Sequence, residues 1–236
     1  MSFSSPTIRF GFSERSDGNM KLLYDGVLDV EAVENRRRFF QALGIDVART
    51  VATRCVHGTE IAVITEEQAG AVFEGFDGLV TNVPNLYLTV TGADCVPVYI
   101  VDPVHHAIGL AHSGWRGAVQ NMAAALVQKM ASAYGSSPED LQVRIGPRIQ
   151  QHHFEVQEEV ERQFAAYPDC IEHRDGKIFV DLGRVIATQL AQVGVLPTNI
   201  EQDDTCTYCE ESRYFSYRRD KPEKLEVMVA YLGMGE

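Results

Sequence analysis

Thr91-Gly92-Ala93-Asp94-Cys95, an apolar run, and Ala111-His112-Ser113-Gly114-Trp115-Arg116-Gly117 make up the stretch from which the fold is read. Between the two polar clusters lie Val-Pro-Val-Tyr-Ile-Val at 96–101 and Ala-Ile-Gly-Leu-Ala at 107–111, and Leu-Tyr-Leu-Thr-Val-Thr precedes them at 86–91. Each run is short, apolar and rich in strand-forming residues, and each is bounded by Gly, Asp, Pro or His, the pattern of buried strands. A meander of three neighbouring strands is expected. Pro97 has no N–H to give a ladder, which predicts that the second strand starts at an edge or beside a bulge. Cys95, a metal ligand or nucleophile, and the His112 imidazole then stand at facing ends of adjacent strands, where they can meet.

After His112 the spacing turns helical. Val119, Met122, Ala123, Leu126, Met130 and Ala133 fall near i, i+3, i+4 and i+7, and Gly135 stops the run. Ser-Gly-Trp-Arg-Gly is therefore a strand-to-helix turn. Its glycines allow a tight bend, and free N–H groups at the helix start, with the Arg116 guanidinium, offer a seat for phosphate or carboxylate beside His112.

Outward from this centre, 7–12 reads as an opening strand and Asp29 as the N-cap of a helix over 30–43, with Val33, Phe40 and Leu43 inward and Gly44 as its stop. Asn35, Arg36, Arg37 and Arg38 read as a solvated basic face. Segment 50–64 divides into two strand halves around Gly58, and Cys55 and His57, two apart in an extended chain, face the same way. Segment 66–78 is a surface loop in which Asp77 precedes a short strand. Strands are expected at 141–145, 177–180 and 225–232, with helices at 154–166 and from Asp181 to Gly194. Cys206-Thr-Tyr-Cys209 lacks a second Cys pair and is weak evidence for zinc. With Cys170, both cysteines read as core or surface thiols.

No linker, repeat or charge block divides the 236 residues, so a single domain over 1–236 is expected. Lys plus Arg number 21 against 33 Asp plus Glu, a formal charge of −12. That balance argues against binding nucleic acid or an anionic membrane, and an anionic substrate then requires a locally basic pocket. Residues 1–7 carry neither a basic n-region nor an apolar h-region, no run is long enough to span a bilayer, and the five cysteines are odd in number. A cytoplasmic protein without a disulfide framework is expected.

Taken in order, Arg-Cys-Val-His57-Gly-Thr, Gly-Ala-Asp94-Cys95-Val-Pro-Val, Ala-His112-Ser-Gly-Trp-Arg-Gly, Ile-Gly-Pro147-Arg-Ile, Phe-Glu155-Val, Val-Asp181-Leu, Cys206-Thr and Phe-Ser-Tyr-Arg-Arg-Asp220 resemble the laccase-domain family. Its members, once described as polyphenol oxidases, are understood as purine nucleoside phosphorylases with adenosine deaminase activity. The resemblance implies an α+β fold in one domain, with mixed β-sheets layered between helices (α/β/β/α). It also implies a zinc ion held by His57, Cys95 and His112. Two imidazoles and a thiolate with an open fourth position suit catalytic zinc, where a bound water is acidified towards neutrality. Purine nucleosides and phosphate are the implied ligands, with Arg116 on the anion and Asp94 orienting a ligand or moving a proton. This chain departs from the family at Cys55, where Gln is usual, at Arg148, where Cys is common, and at Ser16-Asp-Gly-Asn-Met-Lys-Leu-Leu, which replaces a Gly-rich and an Asn-Leu motif.

Three other functions compete. Cys95 activated by His112 would make an amide hydrolase, a reading that a filled metal site excludes because a coordinated thiolate is a poor nucleophile. A multicopper phenol oxidase needs about four copper ions and many imidazoles, against seven histidines here; oxidase activity would come from adventitious copper at the zinc site. The fourth reading is a degenerate binding protein that keeps the metal and lacks turnover. The oligomeric state stays open.

Overall fold

The computed structural model describes residues 7–235. Residues 1–6, which carry most of the expectation about export, lie outside them.

Two mixed sheets form the centre. One has the strand order Ile8–Phe12, Met228–Met234, Tyr87–Gly92, Thr50–Arg54, Val72–Glu74; the other runs Ile200–Gln202, Gln142–Ile145, Val96–Asp102, Ala107–Ser113, Gly78–Thr81, Ile61–Val63. Val51, Leu88, Val90, Ala230 and Leu232 of the first meet Leu79, Tyr99, Val101, Ile108 and Leu110 of the second in one core between the sheets. The alternate residues of the central strand, Val96, Val98 and Ile100, point the other way, into a second core with Leu126 and Met130 of helix Met122–Tyr134 and Val185, Ile186 and Leu190 of helix Leu182–Gln192. Period-2 alternation with both faces apolar explains why strand Val96–Asp102 is buried along its whole length. On the outer face of the first sheet, Phe40 of helix Val30–Ala42 packs against Tyr87, Val229 and Tyr231. The layers are thus α/β/β/α, as the resemblance implied. Among the described residues no helix is long and apolar enough to cross a membrane.

The expected meander is corrected. Strands Val96–Asp102 and Ala107–Ser113 pair antiparallel, with His112 opposite Pro97, but Tyr87–Gly92 lies in the other sheet. The chain crosses between sheets through Ala93-Asp94-Cys95, with Asp94 at a φ of 82°. Pro97 sits at the entry of an interior strand, beyond the end of the Gln142–Ile145 ladder, where its carbonyl accepts from Gly146 N at 2.9 Å and its missing N–H costs no bond.

Other differences have local causes. The helix after His112 is broken into Trp115–Val119 and Met122–Tyr134 by Asn121, whose φ is 62°. Segment 154–166 is helical only from Glu158: Glu155 and Val156 pair with Phe179 and Ile178, and an α-turn at Glu158–Glu161 is followed by a 3-10 turn at Arg162–Phe164. Strand Val72–Glu74 lies within the segment read as loop. In helix Val30–Ala42 the buried residues are Ala32, Asn35, Arg36 and Phe40, while Val33 is exposed. Asp29 and Asp181 cap their helices as read, accepting from Ala32 N and Arg184 N.

Candidate metal centre and active site

The crossing at Ala93-Asp94-Cys95 delivers Cys95 to the seam of the two sheets. The strand pairing brings His112 alongside it, and the turn after Thr50–Arg54 supplies His57 from the other sheet. Ligand atoms of His57, Cys95 and His112 all lie within 4.8 Å of one another, and Cys95 Sγ is 3.9 Å from His57 Nε2. Tetrahedral zinc, about 2.3 Å from sulfur and 2.0–2.1 Å from nitrogen, sets such donors about 3.5 Å apart. The donor set and its spacing therefore fit zinc.

The backbone at His57 has a φ of 63°, so Cys55 and His57 are not on an extended strand and the two-residue argument for their facing fails. The turn is held by Asp77. Its fully buried carboxylate accepts from the backbone N–H of Val56, His57 and Gly58 at 3.1, 2.9 and 2.8 Å, and from His112 Nδ1 at 2.8 Å. One side chain thereby fixes the His57 turn and the ring of His112, leaving Nε2 of His112 for a metal, the usual carboxylate–histidine support of a ligand. Burial works against ionisation of Asp77, but the His112 bond and the backbone donors outweigh it and lower its pKa. Burial likewise opposes the Cys95 thiolate, and His112 and His57 overcome it, bringing the thiol down to about 6. Sulfur is thus available as the ligand form at neutral pH. Cys55, half-buried, hydrogen-bonds Thr53 Oγ1 at 3.1 Å and forms a second cluster with Asp77 and His112.

Gly114 closes the floor. A Cβ there would stand 2.8 Å from His57 Cδ2 and 2.9 Å from Cys95 Sγ. Gly114→Ala is expected to push two donors apart and to weaken metal binding roughly 10–100-fold, the range seen when ligand support is lost; titration against a chromogenic chelator measures it.

The cluster opens onto a cavity of about 490 Å³, within the size of small-molecule sites. Five cations border it, Lys21, Arg36, Arg54, Arg116 and Arg218, against one acid, Asp94. This is the basic pocket that an acidic protein needs for an anionic ligand. Trp115, Phe154 and Leu182 add apolar wall, and Lys21, Leu22 and Leu23 bring the segment that departs from the family motif to the rim.

The cations differ in how free they are. Arg54 pairs with Glu74 at 3.1 Å, and Arg218 donates to Glu155 O at 2.7 Å. Arg116 is exposed, its guanidinium 4.3 Å above the Trp115 ring, on a helix of five residues that is too short to build the expected anion seat from its own dipole. Arg36 is 4% exposed and has no carboxylate partner: Nε donates to Met20 O at 2.9 Å and Nη1 to Thr89 Oγ1 at 3.3 Å, and Nη2 makes no hydrogen bond among the described residues. Burial lowers its pKa to about 10, still well above neutrality, so the cation persists. It is a member of the basic run read as a solvated face. Ala32, Arg36 and Phe40 recur every four residues on one helix face, a signal present in the sequence.

Asp94 is buried and saturated. Oδ1 accepts from Thr207 Oγ1 at 2.7 Å, and Oδ2 accepts from Ser216 Oγ at 3.0 Å and Arg218 N at 2.8 Å. Burial raises its pKa against these donors. Arg148 lies away from the cavity, donating to the carbonyls of Gly146 and Asp203 and to Gln202 Oε1. Arg219 pairs with Asp220 at 2.7 Å.

A family model described as multi-copper polyphenol oxidoreductase laccase matches residues 10–232. The chain is 34% identical over 193 residues to mouse purine nucleoside phosphorylase LACC1, a match covering 79% of this chain and 44% of that protein. It thus spans less than half the length of that relative. Purine nucleoside phosphorylase YlmD of Geobacillus stearothermophilus is 32% identical over 219 residues, covering 87% of this chain and 80% of YlmD. The crystal structure of YlmD from Geobacillus stearothermophilus superposes with a TM-score of 0.91 at 30% identity, over 98% of this chain and 93% of that one. Adenosine deaminase RL5, from an unknown prokaryotic organism, is 32% identical over 209 residues, or 83% of this chain and 79% of RL5.

Proposed function

Since the chain belongs to the multi-copper polyphenol oxidoreductase laccase family, we propose that it is a zinc-dependent purine nucleoside phosphorylase that also deaminates adenosine, working in the cytoplasm. The observation that carries this reading is a donor set of two imidazoles and a thiolate opening onto a cavity with five cations and one acid already saturated with hydrogen bonds.

His57, Cys95 and His112 hold the metal, which when bound supplies Lewis-acid polarisation and acidifies water. In phosphorolysis an oxygen of phosphate attacks C1′ of the nucleoside, the glycosidic bond breaks, and the base departs with its electron pair. Arg36 offers the phosphate a desolvated guanidinium with a free Nη2, and Arg116 adds a cation at the mouth. Trp115 and Phe154 are placed to pack on a purine. In deamination, water displaces the amino group at C6 of adenine as ammonia. Asp94 acts as a positioning residue, tying the Cys95 crossing to Thr207, Ser216 and Arg218.

Incubating the zinc-loaded protein with adenosine and inosine, with and without phosphate, and resolving free bases and inosine by chromatography tests the reading. Phosphate-dependent base release is expected; no product from either nucleoside overturns it in favour of the amide-hydrolase or binding-protein alternatives. Arg36→Gln keeps a donor for Met20 O and removes the charge. It is expected to raise the KM for phosphate roughly 10–150-fold, the equivalent of about 1.5–3 kcal/mol for a hydrogen bond to a charged group, with the nucleoside KM little changed. Arg36→Lys is expected to recover part of the loss. Steady-state kinetics with phosphate varied reads both.

A further inference from the structure

We propose that His152, His153 and Cys209 form a second metal centre that binds a thiophilic divalent cation of the zinc type and clamps two loops beside the cavity. The donors come from two turns. Gln151–His153 is a single 3-10 turn that sets two adjacent imidazoles on one side, with ring centroids 4.6 Å apart. Cys206 to Cys209 is a closed turn in which Glu210 N donates to Cys206 O at 3.0 Å.

The two turns are bolted together before any metal is considered. Thr207 N donates to Arg148 O at 3.0 Å, Gln150 N to Cys206 Sγ at 3.4 Å, and Gln150 Nε2 to Asp203 O at 3.2 Å. This framework brings His152 Nε2 to 3.2 Å from Cys209 Sγ, and ligand atoms of His152, His153 and Cys209 lie within 4.8 Å of one another. The buried Cys206 accepts from Gln150 N and anchors this turn rather than joining the donor group. The 3.2 Å spacing is close to the about 3.5 Å of tetrahedral zinc donors.

Three features favour a metal over a chance cluster. The donors are two nitrogens and one sulfur, with no carboxylate among them, in a chain holding 33 acids. That softness selects zinc-like cations over magnesium or calcium. His153 stacks on Tyr208 at 3.9 Å, which fixes its ring beside His152. The cluster is also apart from the first site, since none of its three residues borders the cavity. A metal there joins two turns of the framework, a structural role. Its lever on the active site is short: Thr207 and Arg218, which hold Asp94, lie respectively inside the Cys206 turn and against the carbonyl of His153 at 3.5 Å.

Metal content and cobalt(II) absorption of the reduced full chain test the proposal. Wild type is expected to bind about two equivalents of Zn²⁺ or Co²⁺, and Cys209→Ser and His152→Asn about one each. Cys95→Ser, which removes the first site, is expected to keep one equivalent with a thiolate-to-cobalt band. The Cys95→Ser/Cys209→Ser pair should bind none. His152 and Cys209 are exposed, so their variants are expected to fold with unchanged circular dichroism. A stoichiometry of one in wild type that neither Cys209→Ser nor His152→Asn alters would overturn the second centre without touching the first. Loss of all metal in Cys95→Ser would overturn it equally.

Discussion

Cys95→Ala is expected to strip the protein of its active-site metal and of nucleoside turnover while leaving the fold in place. The sulfur is one of three donors at the seam of the sheets, 3.9 Å from His57 Nε2. A structural or catalytic zinc site reduced to two imidazoles has lost its only anionic ligand, and the thiolate is what neutralises the cation in a buried setting. The backbone at this crossing is held by other means: Ile149 N donates to Asp94 O at 3.1 Å, and the Asp94 carboxylate binds three donors. Metal analysis, thermal unfolding and phosphorolysis on one preparation separate the outcomes. A zinc stoichiometry unchanged from wild type with lost activity would mean that Cys95 is not a ligand. An unfolded variant would mean that the metal holds the seam together.

Replacing Asp77 should do more damage to the fold than replacing any ligand. Its carboxylate is the common acceptor for three backbone N–H groups of the His57 turn and for His112. Asp77→Ala leaves three part-buried N–H groups and the buried His112 without their acceptor. The expected cost is about 3–5 kcal/mol, the range for removing one partner of a buried charged network. For a chain of this size that lowers Tm by roughly 10 °C. Asp77→Asn keeps the volume and part of the bonding, so its effect should fall on the metal: affinity lower by roughly 10–100-fold, with a smaller loss of stability. Calorimetry and competitive zinc titration on the two variants measure the split. Equal metal affinity in Asp77→Asn and wild type would show that the His112 ring needs no carboxylate to hold its orientation.

Asp77 was invisible as a functional residue in the sequence for a physical reason. Nothing in its local run, Phe76-Asp77-Gly78, differs from an ordinary turn before a strand; its role arises from loops brought together by two different sheets. Cys95 and His112 were legible because a single hairpin of neighbouring strands sets their meeting, and a strand pattern is a local signal. The sheet to which 86–91 belongs was not. A connection of three residues that turns back within a sheet and one that crosses to the next have the same composition, and only the left-handed backbone of Asp94 distinguishes them here. Arg36 was masked by identical neighbours, since Arg36, Arg37 and Arg38 differ only in helical phase. Arg37 pairs with Glu34 on the surface at 2.6 Å, whereas Arg36, a step away, turns under the helix. The helix expected over 154–166 starts late, at Glu158, because pairing of Glu155 and Val156 with Phe179 and Ile178, a tertiary contact, outweighs the helical spacing there.

The order of strands in the first sheet also governs how the chain can be made. Met228–Met234 lies between Ile8–Phe12 and Tyr87–Gly92, pairing Ile8 with Met234 on one side and Leu88 with Leu232 on the other. A nascent chain emerging from the ribosome therefore carries two strands whose common partner is synthesised long after both. Until then both present unpaired edges, and Leu88 and Val90 of the inner strand lack Ala230 and Leu232 beside them. Such long-range closure makes folding slow and leaves the waiting edges open to pairing with other strands.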